Sequence, residues 1–169
     1  MRVLYLSEVN DLTAMWAHYA ANATGVVLQF EAVDRLDSAF LVARPVTYND
    51  SPPAITRAQE WARLMIRSPY WQNDMSFFNN YEHTKTTEWK AEKEWRISSM
   101  KRRGEIGQYS DYSFNVRELS AVYFGWKCTN DCRAEIRCLL SHGLDHVKMF
   151  SAYPDPRSRR YVFKEVPRA

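Results

Sequence analysis

The sequence predicts an α+β fold: a curved sheet, mixed or mainly antiparallel, with flanking helices, in a single domain over residues 1–169. Three observations carry this expectation. Short β-branched or alternating apolar runs recur along the chain, stretches with helical apolar spacing fall between them, and turn residues separate the two. At 169 residues, with 46% hydrophobic and 25% charged residues and 5 glycines, the chain can bury a core without disulfides or metals.

Residues 2–7, RVLYLS, give the first strand. Asn10 or Asp11 is placed to cap a helix over about 11–22, where Leu12, Met15, Trp16, Tyr19 and Ala23 share a face and His18 lies on the flank. Gly25 turns the chain into GVVLQFE, whose unbroken apolar run predicts a buried strand. A third strand is expected in FLVARPVTY, with Pro45 putting it at an edge or bulge, and NDSPP at 49–53 is a loop.

ITRAQEWARLMIRS at 55–68 carries a helical apolar stripe that Ser68-Pro69 ends, and a second aromatic helix is expected over about 71–91. The alternation in EWRISSM makes 92–97 extended. The last third supplies a strand at LSAVYFG, a helix over 129–142 ended by Gly143, and two strands, HVKMFSAY and RRYVFKEV, joined through PDPRS. No G-x-G-x-x-G or G-x-x-x-x-G-K loop is present, which argues against a doubly wound nucleotide-binding fold.

The net charge of +3 conceals an asymmetry: residues 1–60 hold 4 Lys and Arg against 7 Asp and Glu, the rest 19 against 13. Lys101, Arg102 and Arg103 cluster, and Arg157, Arg159, Arg160, Lys164 and Arg168 follow near the end. Such a set suits a phosphate-attracting patch or a solvated surface. Cys128, Cys132 and Cys138 are an odd number in one segment, unlike a secreted disulfide framework. MRVLYLSEVND lacks a signal peptide's apolar region and no later run is long enough to span a bilayer, so a soluble cytoplasmic protein with no membrane partner is expected.

Chemistry concentrates in WKAEKEWRI, residues 89–97. On an extended strand Glu92, Glu94 and Arg96 share one face, with successive glutamates roughly 7 Å apart at the backbone. Two carboxylates at that spacing can act on one ligand while Arg96 keeps at least one ionised; equally, Glu94 and Arg96 can pair on a solvent face. In MWAHYA, His18 can serve as acid, base or hydrogen-bond donor and Tyr19 can stack on a planar base, or both can be structural. Cys128, Cys132, His142 and His146 have zinc-like pair spacings, but a helix over 129–142 would spread them along its length, and no metal is expected. Ser7 lacks the G-x-S-x-G frame of a hydrolase elbow, and Trp89, Trp95 and Trp126 read as core residues or as pocket walls.

LYLSEVNDLTAMWAHYAANATGVVLQFE at 4–31, KTTEWKAEKEWRI at 85–97 and LSAVYFGWKCTND at 119–131 together resemble the bacterial domain of unknown function family numbered twenty-nine seventy-one, over residues 4–142. Members of that family carry a further segment before the serine-glutamate motif, so the resemblance implies an N-terminally shortened form. A strand ending in Ser, then a helix, then a Glu-x-Glu strand is similar to the layout of ADP-ribosyltransferases. That likeness implies NAD as cofactor, Glu94 as the catalytic carboxylate, Glu92 as the acceptor-orienting partner, and Ser7, His18, Tyr19 and Arg96 as cofactor-binding residues. It also implies a first-strand cation to hold the dinucleotide, for which Arg2 is the residue at hand.

Two functions are therefore expected in competition. One is an NAD-using transferase or glycohydrolase of bacterial defence, toxin or mobile-element systems. The other is a phage or mobile-element inhibitor, an anti-defence binding protein that engages a protein or nucleoprotein through basic and aromatic surface, with Arg157, Arg159 and Arg160 contacting nucleic acid.

Overall fold

A computed structural model describes residues 2–51, 58–59 and 81–168. The fold is α+β, as the pattern predicts, with its strands divided among separate sheets rather than gathered in one. A three-stranded antiparallel sheet has β1 (Arg2–Ser7) at one edge, β6 (Glu94–Ser99) in the middle and the two-residue β3 (Arg44–Pro45) at the other edge. Pro45 thus occupies the edge position that its missing N–H demands. A four-stranded mixed sheet runs β2 (Val26–Phe30), β7 (Leu119–Phe124), β8 (Lys148–Asp155), β9 (Arg160–Glu165). Its single parallel pair, β7 and β8, is joined through helix α2 (Asn130–Leu140), the crossover that a parallel connection requires. The parallel pair β4 (Thr47–Tyr48) and β5 (Thr84–Lys85) completes the set.

Alternation along β7 and β8 feeds two cores on opposite faces of the larger sheet. Ala121, Tyr123 and Ala152 face Met15, Trp16 and Tyr161, whereas Val122, Phe124 and Met149 face Cys128, Leu140 and Val147. Trp16 is fully buried, stacks on Tyr161 at 5.0 Å and donates its indole N–H to the Asn10 carbonyl at 2.7 Å. β2, expected to be buried, is an edge strand with Leu28 and Gln29 exposed; its unbroken apolar run reflects a cleft wall instead.

The first helix is shorter than its apolar spacing predicts. α1 covers only Thr13–His18, and neither Asn10 nor Asp11 caps it; the Asp11 carboxylate holds Arg160 at 2.8 Å. Beyond it Ala21, Asn22 and Ala23 all take positive φ, in a region that L-residues avoid. The cause is a long-range backbone approach: Gly125 N–H donates to Gly25 at 3.0 Å, Lys127 N–H donates to Ala23 at 3.0 Å, and a Cβ on Gly125 would stand 2.1 Å from the Ala23 carbonyl oxygen.

α2 is the better-read helix. Thr129 accepts the Cys132 N–H at its N-terminus, and Gly143 beyond its end has φ +84°. The β8–β9 turn is held by Asp155, whose carboxylate accepts N–H groups from Arg157 and Ser158. Of the helix expected over 55–68 only residues 58–59 are described, and they are helical; the rest of it, and residues 71–80 of the helix expected over about 71–91, lie outside the described residues. In the described part of the helix expected over about 71–91, residues 81–82 are helical, and the chain then forms β5 and a 3₁₀ turn, Thr87–Glu92.

Candidate functional site

The stretch 92–97 is not one strand. Glu92 closes the 3₁₀ turn, Lys93 takes φ +45°, and the strand starts at Glu94. Two contacts from the end of β1 impose this break: Ser7 Oγ donates to the Glu92 carbonyl at 2.7 Å, and Glu8 N–H donates to the Lys93 carbonyl at 3.1 Å. Upstream, Asp50 accepts the Thr87 N–H at 2.9 Å and so fixes the start of the same turn. That hydrogen bond holds the exposed Asp50 carboxyl below the usual range.

The glutamates still converge, by a route that strand periodicity does not describe. Lys85 Nζ lies 2.6 Å from Glu92 Oε2 and 2.8 Å from Glu94 Oε2, while Arg96 Nε bonds Glu94 Oε1. Lys85 arrives through β5, where it pairs with Tyr48, and Tyr48 Oη accepts the Glu94 N–H at 2.8 Å. Glu92 and Glu94 are both buried, so the expected solvent-face pair is instead an internal four-charge cluster. Burial alone would raise the Glu94 pKa, but hydrogen bonds from Arg96 and Lys85 and their charges bring it below the usual value. For Lys85 burial acts downward, and the bonds to Glu92 and Glu94 outweigh it, lifting the ammonium above its ordinary value. Both groups are charged at neutral pH.

Glu92 differs from Glu94 in one respect. Both Glu94 oxygens are held by cations, whereas among the described residues Glu92 Oε1 meets only Tyr19 Oη, at 3.4 Å, a long contact for a hydroxyl donor. Burial and the Glu92 charge push the Tyr19 phenol up, so it remains a protonated donor.

These groups wall a cleft of about 960 Å³ between β1 and β6 on one side and β2 on the other. Its polar lining includes Lys85, Glu92, Glu94, Arg96, Ser7 and Tyr19, and its apolar lining includes Met15, Val27, Phe30, Phe40 and Tyr123. Apolar walls with a few convergent polar groups mark a ligand cleft.

Five of the six expected site residues are thus brought together: Ser7, Tyr19, Glu92, Glu94 and Arg96. His18 is not among them; it is exposed and contacts Tyr19 and Trp89 edge-on at 6.3 Å, outside the cleft wall. Ser7 hydrogen-bonds backbone and positions Glu92. Arg2 bonds the Gln108 and Gly107 carbonyls and Ser110, away from the cleft, so it does not fill the first-strand cation role.

Lys85 and Tyr48 were not singled out by the sequence. Their one signal was arithmetical: two buried glutamates call for more than a single arginine. The zinc-like set does not assemble either, since His142 Nδ1 faces the Cys138 carbonyl at 2.7 Å and His146 Nε2 the Val116 carbonyl at 3.1 Å. Burial and the neighbouring Cys132 push the Cys128 thiol up, away from thiolate chemistry. Trp89 and Trp95 are half-buried and Trp126 is exposed, so none of the three is core. In the basic tail Arg160 pairs with Asp11 and Arg168 with Asp145, leaving Arg157 and Arg159 as exposed side chains of the β8–β9 turn.

The fold and site define an α+β domain with an internally paired carboxylate couple lining a cleft between two sheets. Residues 15–97 match the model of the family described as "Protein of unknown function (DUF2971)". The match covers MWAHYA, GVVLQFE and WKAEKEWRI, and with them every cleft cation and carboxylate of the cluster; Ser7 falls outside it. No curated protein and no solved structure matches the chain. Among the described residues no helix is long and apolar enough to cross a membrane.

Proposed function

We propose that the cleft binds NAD and cleaves its nicotinamide–ribose bond, passing the ADP-ribosyl group to water or to an acceptor, as an ADP-ribosyltransferase or NAD glycohydrolase does. The observation that carries this is the Glu92 carboxylate, ionic on one side through Lys85 and met on the other, among the described residues, by the long Tyr19 contact alone. When the C–N bond breaks, its electron pair leaves with nicotinamide and positive charge develops on the ribose. A fixed carboxylate facing that charge stabilises the transition state more than the substrate. The acceptor oxygen then bonds to the ribosyl carbon and loses its proton to solvent.

Glu94, doubly held, supplies the fixed field; Glu92 supplies the oxygen that a ribose hydroxyl can meet. The apolar wall by Met15, Phe30 and Tyr123 suits a planar nicotinamide ring. In this role the protein would act in the cytoplasm, in bacterial defence or toxin systems.

The test is nicotinamide release from NAD, followed chromatographically, for wild type and Glu92→Gln, with circular dichroism to confirm folding. Removing a preorganised transition-state charge predicts a loss of about 10²-fold or more in kcat. A folded variant at full rate, or a wild type that neither binds nor cleaves NAD, sinks the proposal. The competing function, an inhibitor engaging a nucleoprotein, draws support from the exposed Arg157 and Arg159.

A further inference from the structure

β6 leads into residues 100–115, a connection that is neither helix nor strand and is nevertheless tied along its length. Arg2, reaching from β1, donates to the Gly107 and Gln108 carbonyls and, at 2.8 Å, to Ser110 Oγ. Glu105 N–H donates to the Arg102 carbonyl at 3.2 Å and closes a turn whose third residue, Gly104, has φ +89°. The Glu105 carboxylate accepts the Arg102 N–H at 3.1 Å and the Ser110 hydroxyl at 2.6 Å, so both arms of the loop gather around one acid. A loop so well anchored still leaves large apolar side chains in water: Ile106 is 97% exposed, Tyr109 87% and Met100 69%. One such residue is ordinary, but three on a short anchored loop mark a contact surface. Its charge is positive. With Arg2 the loop holds four cations, including Lys101, Arg102 and Arg103, against Glu105 and Asp111, and Glu105 is already turned inward, 3.9 Å from Arg2 Nε. Among the described residues neither Lys101 nor Arg103 has an acidic partner.

We infer that this loop docks reversibly on an anionic lipid surface, with Ile106 and Tyr109 entering the headgroup boundary and Lys101 and Arg103 meeting the anionic headgroups. The aliphatic side chains separate this reading from a nucleic-acid contact. Bases stack on aromatic rings, and Ile106 and Met100 offer none, whereas an aliphatic tip beside a tyrosine and flanking cations suits the boundary between headgroups and acyl chains. Such a contact lies on the membrane and needs no helix that crosses it. A small apolar signal joined to a basic one gives attachment that salt can reverse. The inference is independent of the NAD proposal, since none of these residues lines the carboxylate cleft.

The test is co-sedimentation of the full chain with vesicles of phosphatidylcholine alone or with roughly one-third phosphatidylserine. Binding is expected on the anionic vesicles, falling as salt rises, and little on the neutral ones. Ile106→Ser should weaken it by about tenfold, the lower range for withdrawing one such side chain from an apolar phase, and Tyr109→Ser is a second variant at an exposed position. Lys101→Gln with Arg103→Gln should weaken it by roughly thirtyfold, about fivefold for each cation near the surface. Nicotinamide release from NAD in solution should be the same in all these variants, so either proposal can fail alone. Absence of binding to anionic vesicles, equal binding to both kinds, or Ile106→Ser and Tyr109→Ser that bind as wild type would each overturn the inference. So would salt-sensitive binding of a labelled oligothymidylate that Lys101→Gln with Arg103→Gln abolishes, in a protein that leaves vesicles untouched.

Discussion

Lys85→Met is the sharpest perturbation of the cluster, because it removes one charge while keeping most of the side-chain volume. Lys85 bridges two carboxylates at 2.6 and 2.8 Å, with side-chain exposures of 20% for the lysine, 9% for Glu92 and 7% for Glu94. At that depth the loss of one partner leaves charge uncompensated, and breaking such a pair costs about 3–5 kcal/mol. Glu94 would keep Arg96, and among the described residues Glu92 would keep only the long Tyr19 contact.

The pH dependence follows from the signs. In the wild type the depressed Glu94 pKa gives stability that is present above the unfolded value, about 4.3, and lost only as pH falls through the folded value. The raised Lys85 pKa gives stability that is present below about 10.4 and lost as pH rises through its folded value. Both contributions are intact near pH 7.5 and largely intact near pH 5. In the variant, two neighbouring carboxylates share one cation, so one of them takes up a proton as pH falls and the penalty shrinks. Urea unfolding followed by the fluorescence of the 6 tryptophans should therefore show a gap from wild type that is narrower at pH 5 than at pH 7.5. A loss below about 1 kcal/mol at pH 7.5, or the same loss at both pH values, would refute an internal charge cluster.

Gly125→Ala would put a methyl 2.1 Å from the Ala23 carbonyl oxygen, against backbone that cannot move without disturbing the left-handed run 21–23. A fall in melting temperature of roughly 5–10 °C is expected, and an unchanged melting curve would mean that the approach is looser than the hydrogen bonds at Gly25 and Ala23 imply. Reversing Arg157 and Arg159 to Glu tests the nucleoprotein function. If that function holds, the double variant loses salt-sensitive nucleic-acid binding while Glu92→Gln retains it; unaltered binding by the double variant excludes the turn as the contact.

What the sequence disclosed is what local chemistry decides. β1, β7, β8, β9 and α2 were readable because alternation, the Thr129 cap and the Asp155 turn each act within a few residues. The premature end of α1 was not, since its spacing is helical to position 23 and the reason for stopping is a glycine about a hundred residues away. The site shows the same division. Glu92, Glu94 and Arg96 stood out together, yet the expectation that they share a strand face failed, because Ser7 and Glu8 fold the 3₁₀ turn back at Lys93. Lys85 sits in KTTEWK with no periodic relation to Glu94; only the pairing of β5 with β4 brings it there.

That geometry makes the two glutamates unequal. On a shared strand face they would be near-equivalent, and Glu94, paired with Arg96, would be the natural reagent. Here Glu94 accepts from two cations and gives its backbone N–H to Tyr48, so every contact holds it in place and keeps it ionised. A carboxylate so held is a poor proton acceptor, but its field requires no reorganisation when charge develops nearby. Glu92 has the reverse character. Its backbone is latched by Ser7, one oxygen is neutralised by Lys85, and the other can exchange a 3.4 Å phenol contact for a better donor at little cost. Chemistry that needs a fixed charge and one replaceable hydrogen bond is therefore better matched to Glu92 backed by Glu94 than to either alone.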